Sequence, residues 1–245
     1  MNDAVALHCT SEMEASQLKG YPINSQPFIV PNSIDIDKFV KLPPRGKLRS
    51  RFDIPDEAQV LLFLGRLHTK KRPDLAVEAL AATQSLPGEI HLLLAGPDEM
   101  KMGPGLQTQA RYLGCENRFH MTGLLEAEDT LFALADADLF LMPSEPDSEN
   151  FGMSAAEAMA AGLPVLVSEG VPVGEVARYA SAGESASSDE EFCMKAVEML
   201  NHPVRLKEMG NNGKEAVKLF DKDVTAKEML SHLEKIILQW GKHYN

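Results

Sequence analysis

From residue 59 onward, short apolar segments alternate with segments that have the periodicity of helices. Each apolar run has the length of a single strand, and the segment after it carries apolar residues spaced three and four apart. This repeated strand-then-helix order predicts an α/β fold with a doubly wound parallel sheet. We predict strands over residues 60–64, 90–95, 118–122, 139–142 and 164–167, and helices over residues 73–83, 105–113, 127–135 and 151–161.

The loop after the first of these strands is rich in positive charge. It contains Gly65, Arg66, Lys70, Lys71 and Arg72, and in an open parallel sheet it lies at the edge where ligands bind. Arginine can contact two phosphate oxygens at once, and lysine adds a mobile point charge. Because the formal net charge of the chain is −12, an anionic ligand requires such a local concentration of positive charge. A solvated basic loop is the alternative, above all for Lys70 and Arg72.

A second candidate binding segment lies at the start of the helix predicted over residues 151–161. We expect this helix to begin near Phe151, with Asn150 as its N-cap. The backbone N–H groups of Phe151, Gly152 and Met153 would then face an anion at the positive end of the helix. Gly152 has no side chain that could block a phosphate from approaching the backbone.

Two glutamates accompany this helix start. Glu149 precedes the helix, and Glu157 lies on the face of the cap, roughly 9 Å further along the axis. Two carboxylates placed in this way can hold hydroxyl groups at opposite ends of one ligand. The alternative is a capped surface helix with two solvated glutamates. The small residues at positions 155–162 and the apolar strand that follows favour a binding helix packed closely on its neighbours.

Composition and spacing exclude several classes of protein. Asp and Glu outnumber Lys and Arg by 36 to 24, so neither a nucleic acid nor an anionic membrane is expected as the main partner. No apolar run approaches a membrane span and the first ten residues do not resemble a signal peptide, which predicts a cytoplasmic protein. The three cysteines and the scattered histidines predict no disulfide, no zinc site and no required metal. The dinucleotide motif GxGxxG and the P-loop motif are both absent.

The two ends of the chain differ from its middle. Residues 4–10 and 27–30 read as strands on either side of a helix that begins at Ser11, and residues 43–46 read as a linker. Near the other end, apolar side chains keep helical spacing at Ala226, Leu230, Leu233, Ile237 and Trp240. This amphipathic helix is expected to pack against a partner surface.

Several segments together carry a family resemblance. They are TSEME and IVPNSIDIDKF near the start, FLGRLHTKKRPDLAVEAL, LLLAGP, the Glu-x7-Glu spacing of Glu149 and Glu157, and EAMAAGLPVLVS. In this combination the chain resembles the nucleotide-binding, C-terminal half of a retaining glycosyltransferase of family 4 with the GT-B architecture. The resemblance implies a Rossmann-like domain over residues 35–222, a remnant of the N-terminal acceptor domain over residues 1–34, and a C-terminal crossover helix over residues 223–245.

The resemblance also implies roles for individual residues. Arg66 and Lys71 would hold the donor diphosphate. Glu149 would contact hydroxyls of the donor sugar, Glu157 would bind the ribose, and residues 120–123 would lie near the base. The expected substrate-binding residues are Gly65, Arg66, Lys71, Met121, Glu149, Asn150, Phe151, Gly152, Met153 and Glu157, of which Arg66, Lys71 and Glu149 are the expected catalytic residues. The family usually has glycine at the position of Asn150.

The implied reaction transfers a hexose from a UDP-sugar or GDP-sugar to a glycan or lipid-linked acceptor, with retention of configuration and without a metal. The acceptor would bind an N-terminal domain that normally precedes TSEME, so a fragment of a longer enzyme is a simpler explanation than a natural half. Two alternatives stay open: a sugar-nucleotide epimerase of the same architecture, and a non-enzymatic module that binds nucleotide sugars or docks a partner. Peripheral membrane association and oligomers formed through the exposed ends also stay open.

Overall fold

The computed structural model describes residues 4–22, 25–146 and 148–241 as alternating strands and helices. The strands are β1 (Leu7–Cys9), β2 (Pro27–Ile29), β3 (Gln59–Leu64), β4 (Ile90–Ala95), β5 (Phe119–Gly123), β6 (Leu139–Met142), β7 (Val165–Ser168) and β8 (Gly183–Ala186). The helices are α1 (Glu12–Gln17), α2 (Lys47–Arg51), α3 (Pro73–Ala82), α4 (Gly103–Tyr112), α5 (Ala127–Asp136), α6 (Met153–Ala161), α7 (Pro172–Tyr179), α8 (Asp189–Leu200), α9 (Pro203–Ala216) and α10 (Lys222–Gly241). Short 3-10 turns include Ile36–Phe39 and Thr69–Lys71.

Strands β3 to β8 form one parallel sheet in the order β5-β4-β3-β6-β7-β8. The chain runs outward from β3 through β4 to β5, returns to the other side of β3, and continues through β6 and β7 to β8. The strand order therefore reverses between β3 and β6. In doubly wound sheets, ligands bind at this position, outside the carboxyl ends of the strands. The prediction of a Rossmann-like, doubly wound parallel sheet is confirmed.

Helices cover both faces of the sheet. Val60 and Leu62 of β3 pack into one core with residues of α5, α6 and α7, whereas Leu61 and Phe63 pack into a second core with residues of α3, α4 and α8. Successive side chains of a strand point to opposite faces, so a strand buried on both faces is apolar at every position. Burial on both faces fixes β3 and its neighbours, and thereby the positions of the loops at their carboxyl ends.

The helix after β6 begins at Met153, not at Phe151, and the prediction that Asn150 is its N-cap is wrong. The N-cap is Gly152, with a φ of 98°. A Cβ at this position would come within 2.7 Å of Val173 and 2.9 Å of Val171. The left-handed conformation suits glycine and cannot continue a right-handed helix, so the helix starts only after it.

The N-terminal segment lies outside the main sheet. Strands β1 and β2 form a separate parallel pair. Ile34 makes an isolated bridge to Asp221, just before α10, and His232 of α10 stacks on Phe28 of β2 with 4.9 Å between the ring centroids. The two chain ends therefore contact each other. The boundaries at residues 34 and 222 remain predictions.

The predicted C-terminal helix is present as α10, and part of its apolar stripe is uncovered. Leu230, Leu233 and Ile237 are exposed, and the side chain of Trp240 lies outside the described residues. Across the described ranges, no helix satisfies the joint requirements of length and hydropathy for crossing a bilayer.

Candidate active site

The loops that follow β3 and β6 lie against each other at the carboxyl edge of the sheet. The backbone N–H of Glu145 donates to the carbonyl of Lys70 at 2.8 Å, and the hydroxyl of Ser148, which donates to the carbonyl of Glu145 at 2.6 Å, lies 3.3 Å from the carbonyl oxygen of Lys70. The positively charged loop and the start of α6 therefore share one edge, at the point where the strand order reverses. The structure brings together the two segments that the sequence singles out.

Lys71 and Glu149 form an ion pair between these two loops. The same carboxylate oxygen, Oε1 of Glu149, accepts a hydrogen bond of 2.6 Å from the hydroxyl of Ser144, which is 2% exposed. The side chains of Glu149 and Lys71 are 11% and 23% exposed, so both charges are shielded from water in part and remain reachable. Sequence reasoning missed Ser144 as a site residue. Its position two residues after the end of β6, at the ligand-binding edge, is the signal that could have found it.

Arg66 begins the same positively charged loop, and its side chain is exposed. It forms no ion pair within the ranges that the structure describes, so its guanidinium is available to an anion. Arg72, by contrast, bonds to Asp189 of α8 at 2.8 Å and to Asp74 at 3.1 Å. These hydrogen bonds, the one to Asp189 above all, raise the pKa of Arg72. Arg72 therefore holds the loop on α8, whereas Lys71 pairs with Glu149 and the exposed Arg66 lies at the carboxyl end of β3.

The start of α6 presents backbone N–H groups at this edge. Those of Ala155 and Ala156 both donate to the carbonyl of Gly152 at 3.1 Å, whereas those of Met153 and Ser154 have no backbone partner in the described part of the chain. Unpaired amides at the positive end of a helix can bind an anion. Met153 thus keeps its predicted position at the site.

Phe151 and Gly152, also predicted to bind substrate, have packing roles in the structure. The ring of Phe151 is buried edge-on to Phe220, with 4.9 Å between centroids, and its carbonyl accepts a bond of 2.9 Å from the N–H of Val173. The missing side chain of Gly152 makes room for Val171 and Val173. Phe151 and Gly152 follow Glu149 closely in the chain. The packing around their side-chain positions is nevertheless sufficient to explain why phenylalanine and glycine occur there.

Glu157 lies on α6 where this helix contacts the turn Ile36–Phe39. Burial raises the pKa of the Glu157 carboxyl group, and the charge of Lys38 opposes that shift. The side chain is partly buried and forms no hydrogen bond with the residues that the structure describes. Its carboxylate oxygens can therefore accept hydrogen bonds from hydroxyl groups in a site of low dielectric constant.

A close approach of two glycines joins the loops after β3 and β4. The N–H of Gly65 donates to the carbonyl of Ala95 at 2.9 Å, and the N–H of Gly96 donates to the carbonyl of Gly123 at 2.9 Å. A Cβ on Gly96 would lie 1.8 Å from the carbonyl oxygen of Gly65. The backbones of three adjacent strand ends are thus in direct contact, and Gly65 leads from them into Arg66.

Residues 120–123, expected near the base, are divided between different environments. Gly123 is at the carboxyl edge, and Met121 contacts Gly103 at the start of α4. His120 points toward the amino end of the sheet, where its Nε2 lies 2.9 Å from Nδ1 of His91 and its ring lies 5.3 Å from that of Phe52. Gly123 therefore lies at the same edge of the sheet as the candidate site, Met121 packs against the start of α4, and His120 lies toward the opposite edge.

We expect acid to destabilise the protein through His120. Burial, with a smaller contribution from His91, lowers the pKa of His120 from 6.5 to about 4. The unfolded chain binds a proton here as the pH falls through about 6.5, whereas the folded chain does so only near pH 4, so stability falls with pH across this window. Between pH 7 and pH 5 the loss from this group should be about 1 to 2 kcal/mol. Urea unfolding at pH 7 and pH 5 measures this loss of stability. The variant His120→Gln, which cannot titrate at this position, should lose less stability than the wild type between the two pH values. Equal losses in the two proteins would contradict the role of His120.

Asn150 contacts the N-terminal segment. Its side-chain amide donates to Oε1 of Glu14 at 3.2 Å, and its carbonyl oxygen lies 3.2 Å from the hydroxyl of Thr10, which it shares with Oε2 of Glu14. Asn150 was predicted to bind substrate, and its amide instead has a protein partner. The sequence gives no sign of this contact, because Thr10 and Glu14 are far from Asn150 along the chain.

The family follows from a match over most of the chain. Residues 44–216 match the model of the family described as glycosyl transferases group 1. This match spans more than half of the 245 residues. The chain belongs to this family. The resemblance to a glycosyltransferase is thereby confirmed, and the assignment to family 4 and the retention of configuration stay predictions.

The curated relatives that the chain matches are named for different activities. The chain is 27% identical over 207 residues to D-inositol 3-phosphate glycosyltransferase from Segniliparus rotundus, a match that covers 83% of this chain and 45% of the relative. It is 27% identical over 173 residues to alpha-monoglucosyldiacylglycerol synthase from Streptococcus pneumoniae, covering 68% of this chain and 40% of the relative. The chain therefore spans about half the length of the glycosyltransferases that it matches.

Solved glycosyltransferase structures share the fold. A structure of Anabaena Alr3699/HepE in complex with UDP and glucose superimposes with a TM-score of 0.84 at 20% sequence identity, and the match covers 95% of this chain and 64% of that one. At this identity the similarity establishes the architecture, which agrees with the predicted GT-B type of fold.

Proposed function

We propose that this chain is the donor-binding part of a retaining hexosyltransferase that uses a UDP-sugar or GDP-sugar. The observation that carries the proposal is the Lys71–Glu149 pair, which joins the loop that also carries Arg66 to the segment before α6 where the strand order reverses. Two cations and helix amides suit a diphosphate, and the adjacent carboxylate suits sugar hydroxyls. Membership of the glycosyl transferases group 1 and the UDP and glucose bound by the Anabaena protein support this assignment.

In the proposed reaction, the bond between the anomeric carbon and the diphosphate oxygen breaks while the acceptor hydroxyl bonds to the same face of the sugar. Negative charge grows on the leaving diphosphate, where Arg66, Lys71 and the amides of α6 stabilise it. The acceptor proton passes to a phosphate oxygen, so no side chain of this protein acts as the base. Glu149 holds sugar hydroxyls and Glu157 holds ribose hydroxyls, and no metal ion is required.

Because Lys71 is part of an ion pair, we expect its removal to weaken UDP binding more than the removal of Arg66 does. Glu149 is the counterion of Lys71. Removal of Lys71 takes a cation from the diphosphate and also leaves a shielded carboxylate unpaired close to the phosphates. Removal of Arg66, which forms no ion pair with any residue in the described ranges, takes away only the cation.

We therefore expect Lys71→Ala to weaken UDP binding by about 2 to 3 kcal/mol and Arg66→Ala by about 1.5 kcal/mol. Calorimetric titration with UDP and GDP, each with and without an attached sugar, measures both effects and identifies the base. If the two variants bind UDP as tightly as the wild type does, the diphosphate lies elsewhere.

Two further variants control this experiment. Lys71→Ala combined with Glu149→Gln removes the unpaired charge and should recover about 1 kcal/mol of the lost UDP affinity. Lys70→Ala removes an exposed lysine from the same loop and should change the affinity by less than about 0.5 kcal/mol. A wild type that binds none of these nucleotides at millimolar concentration would favour the non-enzymatic docking module.

For the whole enzyme, we propose a glycan or lipid-linked acceptor and a cytoplasmic location. The pneumococcal relative is named for a glucosylated diacylglycerol, which supports the lipid-linked alternative. A full-length enzyme supplied with labelled UDP-glucose should then place the label in an organic-solvent extract when lipid is the acceptor. Label that stays in the aqueous polymer fraction would identify a glycan.

A further inference from the structure

The loop that carries Glu149 is tied to the N-terminal segment by hydrogen bonds among Thr10, Glu14 and Asn150. The side-chain amide of Asn150 donates to Oε1 of Glu14 at 3.2 Å. The hydroxyl of Thr10 lies 3.2 Å from the carbonyl oxygen of Asn150, and its single proton is shared between this oxygen and Oε2 of Glu14. These contacts connect residues 136 and 140 positions apart in the chain, so they fix the loop relative to a distant segment.

Contacts within the start of α1 hold Glu14 in place independently of Asn150. Its Oε2 accepts bonds from the N–H of Thr10 at 2.6 Å and from the hydroxyl of Thr10 at 2.8 Å. Its own N–H donates to the N-cap Ser11, whose side chain is buried. One carboxylate oxygen is thus used within the start of α1, and the other is directed at Asn150. Because this acceptor is already ordered, the bond to Asn150 adds little entropic cost.

Asn150 lies between two other fixed points of the loop. On one side, Glu149 bonds to Ser144 and Lys71. On the other side, Phe151 is buried and its carbonyl bonds to Val173. The contact with Glu14 and Thr10 therefore restrains the peptide units that lead directly into Glu149.

We propose that Asn150 is a positioning residue, which uses the Thr10–Glu14 contact to fix the backbone that aims Glu149 at the donor sugar. The proposal rests on the donor-binding function given above. It assigns the side-chain amide of Asn150 to the protein and not to the ligand, because that amide donates to Glu14. It also couples the N-terminal segment to the contact with the sugar and leaves the contact with the diphosphate unchanged.

Substitutions that exchange oxygen and nitrogen atoms at this contact test the proposal. Asn150→Asp places a carboxylate against the carboxylate of Glu14 and turns the bond into a repulsion. Glu14→Gln preserves the contact, because the amide of Asn150 can turn over and accept from the new amide group. In the double variant the new amide donates to the new carboxylate, so the bond returns with donor and acceptor exchanged.

In calorimetric titrations, Asn150→Asp should weaken UDP-glucose binding about tenfold and change UDP binding by no more than about twofold. Glu14→Gln and the double variant should both stay within about twofold of the wild type for UDP-glucose. If the added charge acted directly on the ligand, UDP would weaken as much as UDP-glucose, and Glu14→Gln alone would tighten both ligands. That pattern, or a double variant that fails to recover, overturns the proposal.

A measurement without ligand separates this proposal from the proposed function. Hydrogen exchange of the amides of residues 148–152 should become at least about tenfold faster in Asn150→Asp and return to the wild-type rate in the double variant. Glu12→Gln, an exposed change on the same helix, is the matched control and should leave the rates unchanged. A wild type that binds neither UDP nor UDP-glucose contradicts the proposed function, whereas unchanged exchange in Asn150→Asp contradicts the tether itself.

Discussion

Gly96→Ala should lower the free energy of unfolding by about 3 to 5 kcal/mol and weaken UDP binding at least about tenfold. A Cβ at this position would lie 1.8 Å from the carbonyl oxygen of Gly65 and 2.6 Å from its carbonyl carbon. Both are backbone atoms, so the clash can be relieved only by a shift of a strand end. The φ of Gly96 is 150°, a conformation that L side chains rarely adopt, and this adds to the cost.

The effect of Gly96→Ala on UDP binding follows from the position of Gly65 at the start of the loop after β3. Gly65 leads directly into Arg66, and the loop continues with a bond of 2.9 Å from the N–H of Leu67 to the carbonyl of Pro97. A displacement of Gly65 by Gly96→Ala therefore shifts Arg66, the next residue, relative to the Lys71–Glu149 pair. Displacements of about 1 Å at a preorganised site are sufficient for large losses of function.

Urea unfolding and calorimetric titration with UDP measure the two effects of Gly96→Ala. Gly105→Ala is the matched control, because Gly105 lies within α4 and a Cβ there would meet nothing within 4 Å. This change should stabilise the protein by about 0.5 to 1 kcal/mol, since alanine is the better helix former. Opposite signs for the two substitutions are expected. A Gly96→Ala protein as stable as the Gly105→Ala protein would show that the strand ends are not in contact.

The sequence predicts the central sheet because burial leaves a strong signal in the residues themselves. Strands β3, β4, β6 and β7 are covered on both faces, so almost every position is apolar and the predicted bounds lie close to the observed ones. Strand β8 was not predicted. It lies at the edge of the sheet and its residues are Gly183, Glu184, Ser185 and Ala186, which carry little apolar pattern.

The meeting of Arg66, Lys71 and Glu149 is also predictable from the sequence. Their loops follow adjacent parallel strands, and the carboxyl ends of such strands share one edge. The start of α6 is not predictable in the same way. The space that Gly152 leaves by having no Cβ is filled by Val171 and Val173, which lie at and after the start of α7. Contacts of this kind depend on the folded arrangement, and no spacing rule within residues 148–168 reports them.

The role of Arg49 is another feature that the local sequence does not predict. The segment 45–51 reads RGKLRSR, in which three arginines look equivalent. In the structure Arg45 and Arg51 are exposed, whereas Arg49 is 1% exposed. Arg45 bonds to Asp138 at 2.7 Å, and Arg51 lies near the ring of Phe52. Only the packing of α2 against α5 decides which of the three arginines is buried.

Arg49→Met should therefore destabilise the protein by about 3 to 5 kcal/mol. Its guanidinium donates to the carbonyls of Pro55 at 2.8 Å, Ala58 at 2.9 Å and Asp136 at 2.9 Å, and to the carboxylate of Asp138 at 3.1 Å. Methionine can fill much of the volume but has no N–H group, so several buried carbonyls lose their donor. Burial lowers the pKa of Arg49, and these acceptors hold the charged side chain in place despite that cost.

Urea unfolding of Arg49→Met should show this loss, and Arg51→Met on the same helix should stay within about 0.5 kcal/mol of the wild type. The partners of Arg49 immediately precede β3 and β6, at the amino ends of the strands, whereas Arg66, Lys71 and Glu149 follow the carboxyl ends. Under conditions where Arg49→Met remains folded, its affinity for UDP should therefore stay within about twofold of the wild type. A loss of affinity as large as that of Gly96→Ala would mean that the two edges of the sheet are coupled and that the site is not fixed by its own loops.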